Sequence, residues 1–223
     1  MATLYVVSTP IGNLKDITLR ALEVLKSVDI IFCEDTRVGG KLLSHYDIDK
    51  KLVSVNDFNE ERKVADVLNE LKEGRDVALI SDAGTPLISD PGYKIVREAI
   101  KEGFIVEALP GPSSPIIALT VSGLAPDKFL FVGYLPKKEG KKKELLEKLK
   151  KTKEDLKLTI IAFESPFRLL KTLDAIEEVF GNIEMVVARE LTKMHEELVR
   201  AKISDIKTHF EKKRPKGELV VLI

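Results

Sequence analysis

Val77-Ala-Leu-Ile80 runs directly into Ser81-Asp-Ala-Gly-Thr-Pro-Leu-Ile-Ser-Asp-Pro-Gly92, and residues 93–100 then have the spacing of a helix. A short apolar run bounded by turn residues predicts a strand buried on both faces. Glycine and proline around two carboxylates predict a shaped turn at that strand's carboxyl end, where open α/β sheets bind ligands. The pattern returns at once: residues 104–109 predict a strand, and Pro110-Gly-Pro-Ser-Ser114 opens another helix. Two such loops in series point to a site-bearing enzyme. The bland alternatives are an elaborate structural turn at 81–92 and ordinary helix caps at Ser113 and Ser114.

Towards the amino terminus the alternation continues. Residues 4–7 predict a strand ending in Ser8-Thr-Pro-Ile-Gly-Asn13, and residues 19–25 a helix capped by Thr18 or Asp16. Residues 29–33 predict a strand leading into Glu34-Asp-Thr-Arg37, 41–46 a short helix, and 52–55 a short strand. A helix from Asn59 carries Val64, Val67, Leu68 and Leu71 on one face and stops at Gly74. Strands alternating with helices predict a largely parallel sheet covered on both faces.

Beyond an apolar helix over 115–121 the character changes. Strands are predicted at 129–132, 158–163, 184–188, 196–200 and 218–223, and helices at 169–180 and 204–212. Hairpin-capable strands around Arg189-Glu-Leu-Thr-Lys193 make the second sheet mixed. The sequence thus predicts two α/β domains, residues 1–116 and 117–223.

The 223 residues hold 36 basic and 36 acidic side chains, one cysteine and no apolar run long enough to span a bilayer. The amino terminus has no basic segment leading into a cleavage site, and a lone Cys33 fits a reducing compartment, so a cytoplasmic, membrane-independent protein is expected. Charge is unevenly spread: residues 1–110 carry 14 basic and 19 acidic side chains, the remainder 22 and 17. A basic second half favours an anionic partner. Residues 137–157 hold ten lysines and five acids around Leu145, Leu146 and Leu149, a helix whose basic face either is merely solvated or contacts RNA. Lys212-Lys-Arg-Pro-Lys216 poses the same choice.

Several chemistries are excluded. The first strand is not followed by the glycine pattern of a nicotinamide or flavin site, and no phosphate-binding P-loop sequence exists. His195-Glu196 lacks a second histidine at Val199, and three histidines with one cysteine give no metal site. Glu34-Asp-Thr-Arg37 puts two carboxylates and a guanidinium after a buried strand, either as a site or as a helix cap with a surface ion pair.

Taken together, several motifs form a specific set. They are Thr9-Pro-Ile-Gly-Asn-Leu14, Glu34-Asp-Thr-Arg37, Ser81-Asp-Ala-Gly-Thr-Pro86, Ile88-Ser-Asp-Pro-Gly-Tyr93 and Pro110-Gly-Pro-Ser113. Glu164-Ser-Pro166, Ala188-Arg-Glu-Leu-Thr-Lys193 and Lys216-Gly-Glu218 complete it. The set resembles the small-subunit ribosomal RNA methyltransferase family of the tetrapyrrole methylase superfamily, in order along almost the whole chain. The resemblance implies two α/β domains, a homodimer, and S-adenosyl-L-methionine bound in the interdomain cleft. It implies methyl transfer to the ribose 2′-oxygen of a decoding-centre cytidine in 16S rRNA within the assembled 30S subunit, with no metal. The cofactor contacts it implies are Ile11, Asp82, Ala83, Gly84, Ile88, Ser113, Ser114, Phe163, Glu190 and Gly217. The chain departs from the family at Phe167, where a histidine is common, at Val38-Gly-Gly40, and in lacking the extension that many members carry beyond the position of Ile223.

A ribose hydroxyl is a poor nucleophile at neutral pH, so a general base or a polarising cation assists its attack. Asp35 and Glu34 are the candidate bases, and Arg37, Arg189 and Lys193 the candidate cations. Two other functions compete: methylation of a tetrapyrrole precursor, against which Glu34-Asp-Thr-Arg37 and residues 188–193 speak, and RNA or nucleotide binding without catalysis on the same fold.

Overall fold

The computed structural model describes residues 2–56 and 59–223. The chain divides into two compact units, Met1–Ser113 and Ser114–Ile223.

In the first unit, β1 (Thr3–Val7), β2 (Ile30–Cys33), β3 (Lys51–Ser54), β4 (Val77–Ile80) and β5 (Ile105–Leu109) alternate with α1 (Leu19–Ser27), α2 (Thr36–His45), α3 (Glu60–Lys72) and α4 (Tyr93–Lys101). The sheet order is β3-β2-β4-β1-β5. Every pairing is parallel. From β1 the chain steps through β2 to β3 at one edge, then returns through β4 to β5 at the other. Parallel crossovers are right-handed, so helices on outward and return steps must lie on opposite faces. They do: Ala21, Leu25, Leu42 and Leu43 of α1 and α2 pack with Ile31, Cys33, Ala78 and Ile80. Val67, Leu71, Ile95 and Ala99 of α3 and α4 pack with Leu4, Phe32, Val77 and Leu79. Alternate residues of the central strands β2 and β4 therefore serve opposite cores, which is why those strands read as unbroken apolar runs. Each fully buried leucine or phenylalanine contributes about 1.5–3 kcal/mol of transfer free energy.

Helix α1 starts at Thr18, whose hydroxyl accepts from the Ala21 amide at 3.1 Å. Helix α2 begins at Thr36, five residues before the predicted start at Lys41. Gly39 and Gly40 weaken the helical pattern of the sequence, but a Cβ on Gly39 would sit 3.3 Å from both Cβ and Sγ of Cys33. The glycine lets the first turns of α2 approach β2 closely, and tertiary packing outweighs its poor helix propensity.

The second unit holds α5 (Ser114–Ser122), β6 (Phe129–Tyr134), α6 (Glu139–Leu156), β7 (Thr159–Glu164), α7 (Leu169–Phe180), β8 (Glu184–Arg189), β9 (Glu197–Lys202), α8 (Ile203–Lys212) and β10 (Leu219–Leu222). Its sheet order is β6-β7-β10-β8-β9. Only β6 and β7 run parallel; the other neighbours are antiparallel. On one face Leu146, Leu149, Leu173, Ile176, Ile206 and Phe210 of α6, α7 and α8 pack with Ile160, Ala162, Met185, Val187, Leu219 and Val221. The intervening strand residues Ile161, Val186, Val220 and Leu222 are buried too. Their face meets α5. Arg200 of β9 donates to the Val121 and Ser122 carbonyls, a cation placed at the C-terminus of α5.

Candidate functional site

β1 and β4 are neighbours whose outgoing connections run in opposite directions, so their carboxyl ends form the topological switch point of the first sheet. Two backbone hydrogen bonds tie the loops together there: Thr9 N to Gly84 O at 2.8 Å and Gly84 N to Thr9 O at 3.1 Å. Thr9 Oγ1 donates to Ser81 O at 3.2 Å. Ser8 Oγ lies 3.2 Å from both Leu109 O and Thr85 Oγ1, and Thr85 Oγ1 donates to Pro112 O at 3.1 Å. The loops after β1, β4 and β5 thus form one hydrogen-bonded platform. Gly111 makes this contact possible, because a Cβ there would lie 2.7 Å from the Ser8 Cβ.

The 81–92 loop is held in an unusual shape. Gly84, Leu87, Ser89 and Gly92 all have positive φ, at 86°, 74°, 68° and 123°. For Leu87 and Ser89 this conformation costs about 1–2 kcal/mol each and persists only where surroundings enforce it. One such constraint comes from α3. The buried Glu60 carboxylate accepts from the Gly92 and Lys94 amides, both at 2.9 Å, and so caps α4 from outside. Glu60 has no sequence signal, since its partners are more than thirty residues away.

The structure brings Asp35, Arg37 and Asp82 together. Asp82 Oδ1 accepts from the Asp35 amide at 3.0 Å, which joins the end of β2 to the end of β4. The Asp35 carboxylate caps α2 through Arg37 N at 2.8 Å and pairs with Arg37 Nη2 at 2.5 Å. These bonds hold its pKa down at about 2. Burial, assisted by the charge on Asp35, raises that of Asp82. Burial and the same two carboxylates push the Cys33 thiol up to about 12, which leaves it inert. Asp35 and Arg37 therefore have the geometry of a helix cap with an ion pair, and Asp82 is the carboxylate with the greater proton affinity. Glu34 is partly buried, Ile11 packs against Gly84, Ala83 is partly buried, and Ile88 is 43% exposed on the loop. Ser113 and Ser114 are partly buried at the start of α5.

In the second unit, Leu219 stands between Glu164 and Arg189, so β7 and β8 end at the edge where β10 begins. The Arg189 guanidinium is occupied: Nε donates to Glu197 Oε2 at 2.8 Å and Nη1 to Lys216 O at 3.2 Å. Lys193 Nζ bridges Glu190 Oε1 at 3.0 Å and Glu218 Oε2 at 2.9 Å. Glu190 Oε1 also accepts from the Glu218 amide at 3.0 Å. Burial by itself would raise the Glu190 carboxyl, but the Glu218 amide and the Lys193 ammonium bring it below the usual range. Gly217, at φ 84°, lies so close to this carboxylate that any Cβ would overlap it. Phe163 packs edge-on against Phe131, with ring centroids 4.9 Å apart.

Behind this edge lies a network that sequence analysis missed. The Glu164 side chain is 0% exposed and pairs with Arg168 Nη2 at 2.6 Å. It accepts from Ser165 N at 2.6 Å and Thr172 Oγ1 at 2.5 Å. Thr172 Oγ1 in turn accepts from the buried Lys142 Nζ at 3.0 Å. Among the described residues there is no cluster of three or more histidine, cysteine or acidic side chains able to hold a metal ion, and no helix is long and apolar enough to cross a membrane.

Residues 3–207 match the family model for tetrapyrrole (corrin/porphyrin) methylases, and the chain belongs to that family. Among curated relatives it is 48% identical, over 100% of its own length and 98% of the relative, to a Thermotoga maritima protein named ribosomal RNA small subunit methyltransferase I. Proteins of the same name from Rickettsia prowazekii and Bacillus subtilis are 49% and 44% identical, over 99% and 100% of this chain and 77% and 75% of theirs. In fold it is similar to a diphthine synthase (TM-score 0.77, 16% identity, 100% of this chain and 89% of that one). A cobalt precorrin-4 methyltransferase is also similar (TM-score 0.69, 21% identity, 99% and 94%).

Proposed function

We propose that this chain transfers the methyl group of S-adenosyl-L-methionine to the ribose 2′-oxygen of a decoding-centre cytidine in small-subunit rRNA. The observation that carries this reading is the 48% identity over the full chain to a relative named for small-subunit rRNA methylation. The acceptor is presented by the assembled 30S subunit, and the enzyme works as a cytoplasmic homodimer.

The donor set fits a sulfonium nucleoside with an amino-acid tail. In the first unit, Ile11 and Ile88 offer apolar contact, the Ala83 and Gly84 backbone offers hydrogen bonds, and Asp82 offers an acceptor. Ser113 and Ser114 add hydroxyls, and Phe163, Glu190 and Gly217 of the second unit are proposed contacts on the family resemblance. The glycines let other parts of the loops close in: Ile11 packs on Gly84, and the Glu190 carboxylate fills the space where a Cβ of residue 217 would stand. Bound there, S-adenosyl-L-methionine supplies an electrophilic methyl. The protein's part is to align the acceptor oxygen behind that methyl, where positioning accounts for much of the acceleration. Between the aspartates, Asp82 is better suited than Asp35 to take the hydroxyl proton, because its pKa is raised and that of Asp35 lowered.

The test is tritiated S-adenosyl-L-methionine with 30S subunits from a strain lacking the gene, followed by mapping of the label. One labelled cytidine ribose is expected. Label on a base, or on an added tetrapyrrole precursor and not on RNA, would refute the reading.

A further inference from the structure

The two basic runs differ in how their charges are used. On α6, Lys142 is buried against Thr172, Lys143 pairs with Glu178, Lys148 with Glu144, and Lys150 and Lys153 donate to the carbonyls of Val179 and Leu158. Much of that run holds its own unit together. The run between α8 and β10 behaves otherwise: Lys212, Lys213, Arg214 and Lys216 are all exposed. Among the described residues none of the four is in an ion pair; Glu190, Glu196, Glu197 and Glu218 each already meet a donor, and the exposed Glu211 beside Lys212 is the one adjacent acid in the run.

The run is anchored at the edge where β7 and β8 end. Lys216 O accepts from Arg189, and Glu218 is bonded through both its backbone and its side chain to Glu190 and Lys193. Two apolar side chains emerge from loops at the same edge: Phe167 is 96% exposed after β7, and Met194 is 94% exposed after β8. The Glu164–Arg168 pair and the bond that the Phe167 amide donates to Ser165 Oγ hold the backbone beneath Phe167. An immobilised loop carrying a fully solvated ring beside unpaired cations is the arrangement by which proteins hold single-stranded nucleic acid.

We propose that this edge of the second unit is an RNA-contact surface, with Lys212, Lys213, Arg214 and Lys216 meeting phosphates and Phe167 stacking on an unpaired base. The inference rests on the rRNA reading above and adds the surface that grips the substrate. An anionic membrane is the poorer occupant, because one ring and one thioether give little apolar area to bury in lipid, while a single ring suffices for a base.

The experiment compares wild type with Phe167→Ala and with a fourfold variant, Lys212→Gln, Lys213→Gln, Arg214→Gln and Lys216→Gln. Each is measured for binding of a fluorescent single-stranded RNA across salt concentrations, KM for 30S subunits, and affinity for S-adenosyl-L-methionine. Loss of four phosphate contacts should flatten the slope of log affinity against log salt by up to about 3. Phe167→Ala should weaken RNA binding about 5- to 150-fold, with Phe167→Trp restoring it. KM for 30S should rise while cofactor affinity holds. Lys141→Gln with Lys151→Gln on α6 should change none of these. Phe167→Ala alters an exposed tip and gives an independent readout should the fourfold variant fold poorly. Unchanged slopes and KM in variants of an enzyme that does methylate 30S would overturn the inference and leave the function intact. A wild type that neither binds RNA nor labels it would overturn both. Comparable binding to phosphatidylserine vesicles would assign the surface to membranes instead.

Discussion

Replacing Glu164 by glutamine preserves shape and removes one charge from the most enclosed polar network of the second unit. The carboxylate takes Arg168 Nη2 and Ser165 N at 2.6 Å on one oxygen and Thr172 Oγ1 at 2.5 Å on the other. Glutamine keeps one acceptor oxygen, but its amide then faces the Thr172 hydroxyl, which already accepts from Lys142. Arg168 loses its counter-charge, and Lys142 loses the carboxylate to which Thr172 links it. Hydrogen bonds to charged groups contribute roughly 1.5–3 kcal/mol against 0.5–1.5 for neutral ones, so the exchange should cost about 2–4 kcal/mol. The lower end applies if Arg168, which is partly exposed, turns to solvent. For a chain of this length the loss corresponds to a fall in Tm of about 5–15 °C. Urea unfolding followed by circular dichroism measures it. Lys142→Met supplies the coupling: with Glu164→Gln already made, it should cost clearly less than in the wild-type background. A cost for Glu164→Gln below about 1 kcal/mol, or strict additivity with Lys142→Met, would refute the account of a buried charge network.

Further expectations concern the end loops. Gly217→Ala forces a Cβ into the Glu190 carboxylate at φ 84° and should weaken S-adenosyl-L-methionine binding at least tenfold in calorimetry, with far-UV circular dichroism unchanged. Asp82→Asn should lower kcat on 30S subunits more than Asp35→Asn does; equal rates would remove Asp82 as proton acceptor. Acid stability has a defined sign. Asp35, lowered from 3.8 to about 2, and Glu190 and Glu197, both lowered from 4.5, stabilise the fold above their unfolded pKa values. That contribution is lost as pH falls through the folded ones. Asp82 is raised and acts oppositely, favouring the fold below 3.8 and losing that effect as pH rises through its folded value. The urea midpoint should therefore be flat from about pH 5 to 7 and drop between about pH 4 and 2. A midpoint that rises on acidification would contradict it. Gly111→Ala should separate the β1 and β5 loops through its 2.7 Å approach to Ser8 and destabilise the first unit, read as faster amide exchange at Thr9 and Gly84.

The sequence by itself determined what is written in short range. Unbroken apolar runs gave the parallel sheet, because strands covered on both faces need no polar alternation. Hydroxyls and glycines gave helix boundaries such as Thr18 and Gly74, because caps act within a few residues. The motif set pointed to the family, and its residues fall on strand-end loops. Only tertiary structure decided the partners. For Asp35 the sequence offered both a site carboxylate and a helix cap, and the start of α2 at Thr36 adds that its oxygen accepts from the Arg37 amide. The early start was hidden because Gly39 suits close packing against Cys33, a contact that helix propensity does not describe. The lysines of α6 and those after α8 looked alike in sequence, and chain folding alone brought acids or carbonyls to the first and none to the second. Glu60 and Lys142 gave no signal because their partners, Gly92 and Thr172, become neighbours only once helices and strands pack, while Glu164 stood in the motif set without any sign that it would be fully buried. Local geometry is encoded in neighbouring residues, but the charge state and availability of a side chain depend on what distant segments bring within about 3 Å of it.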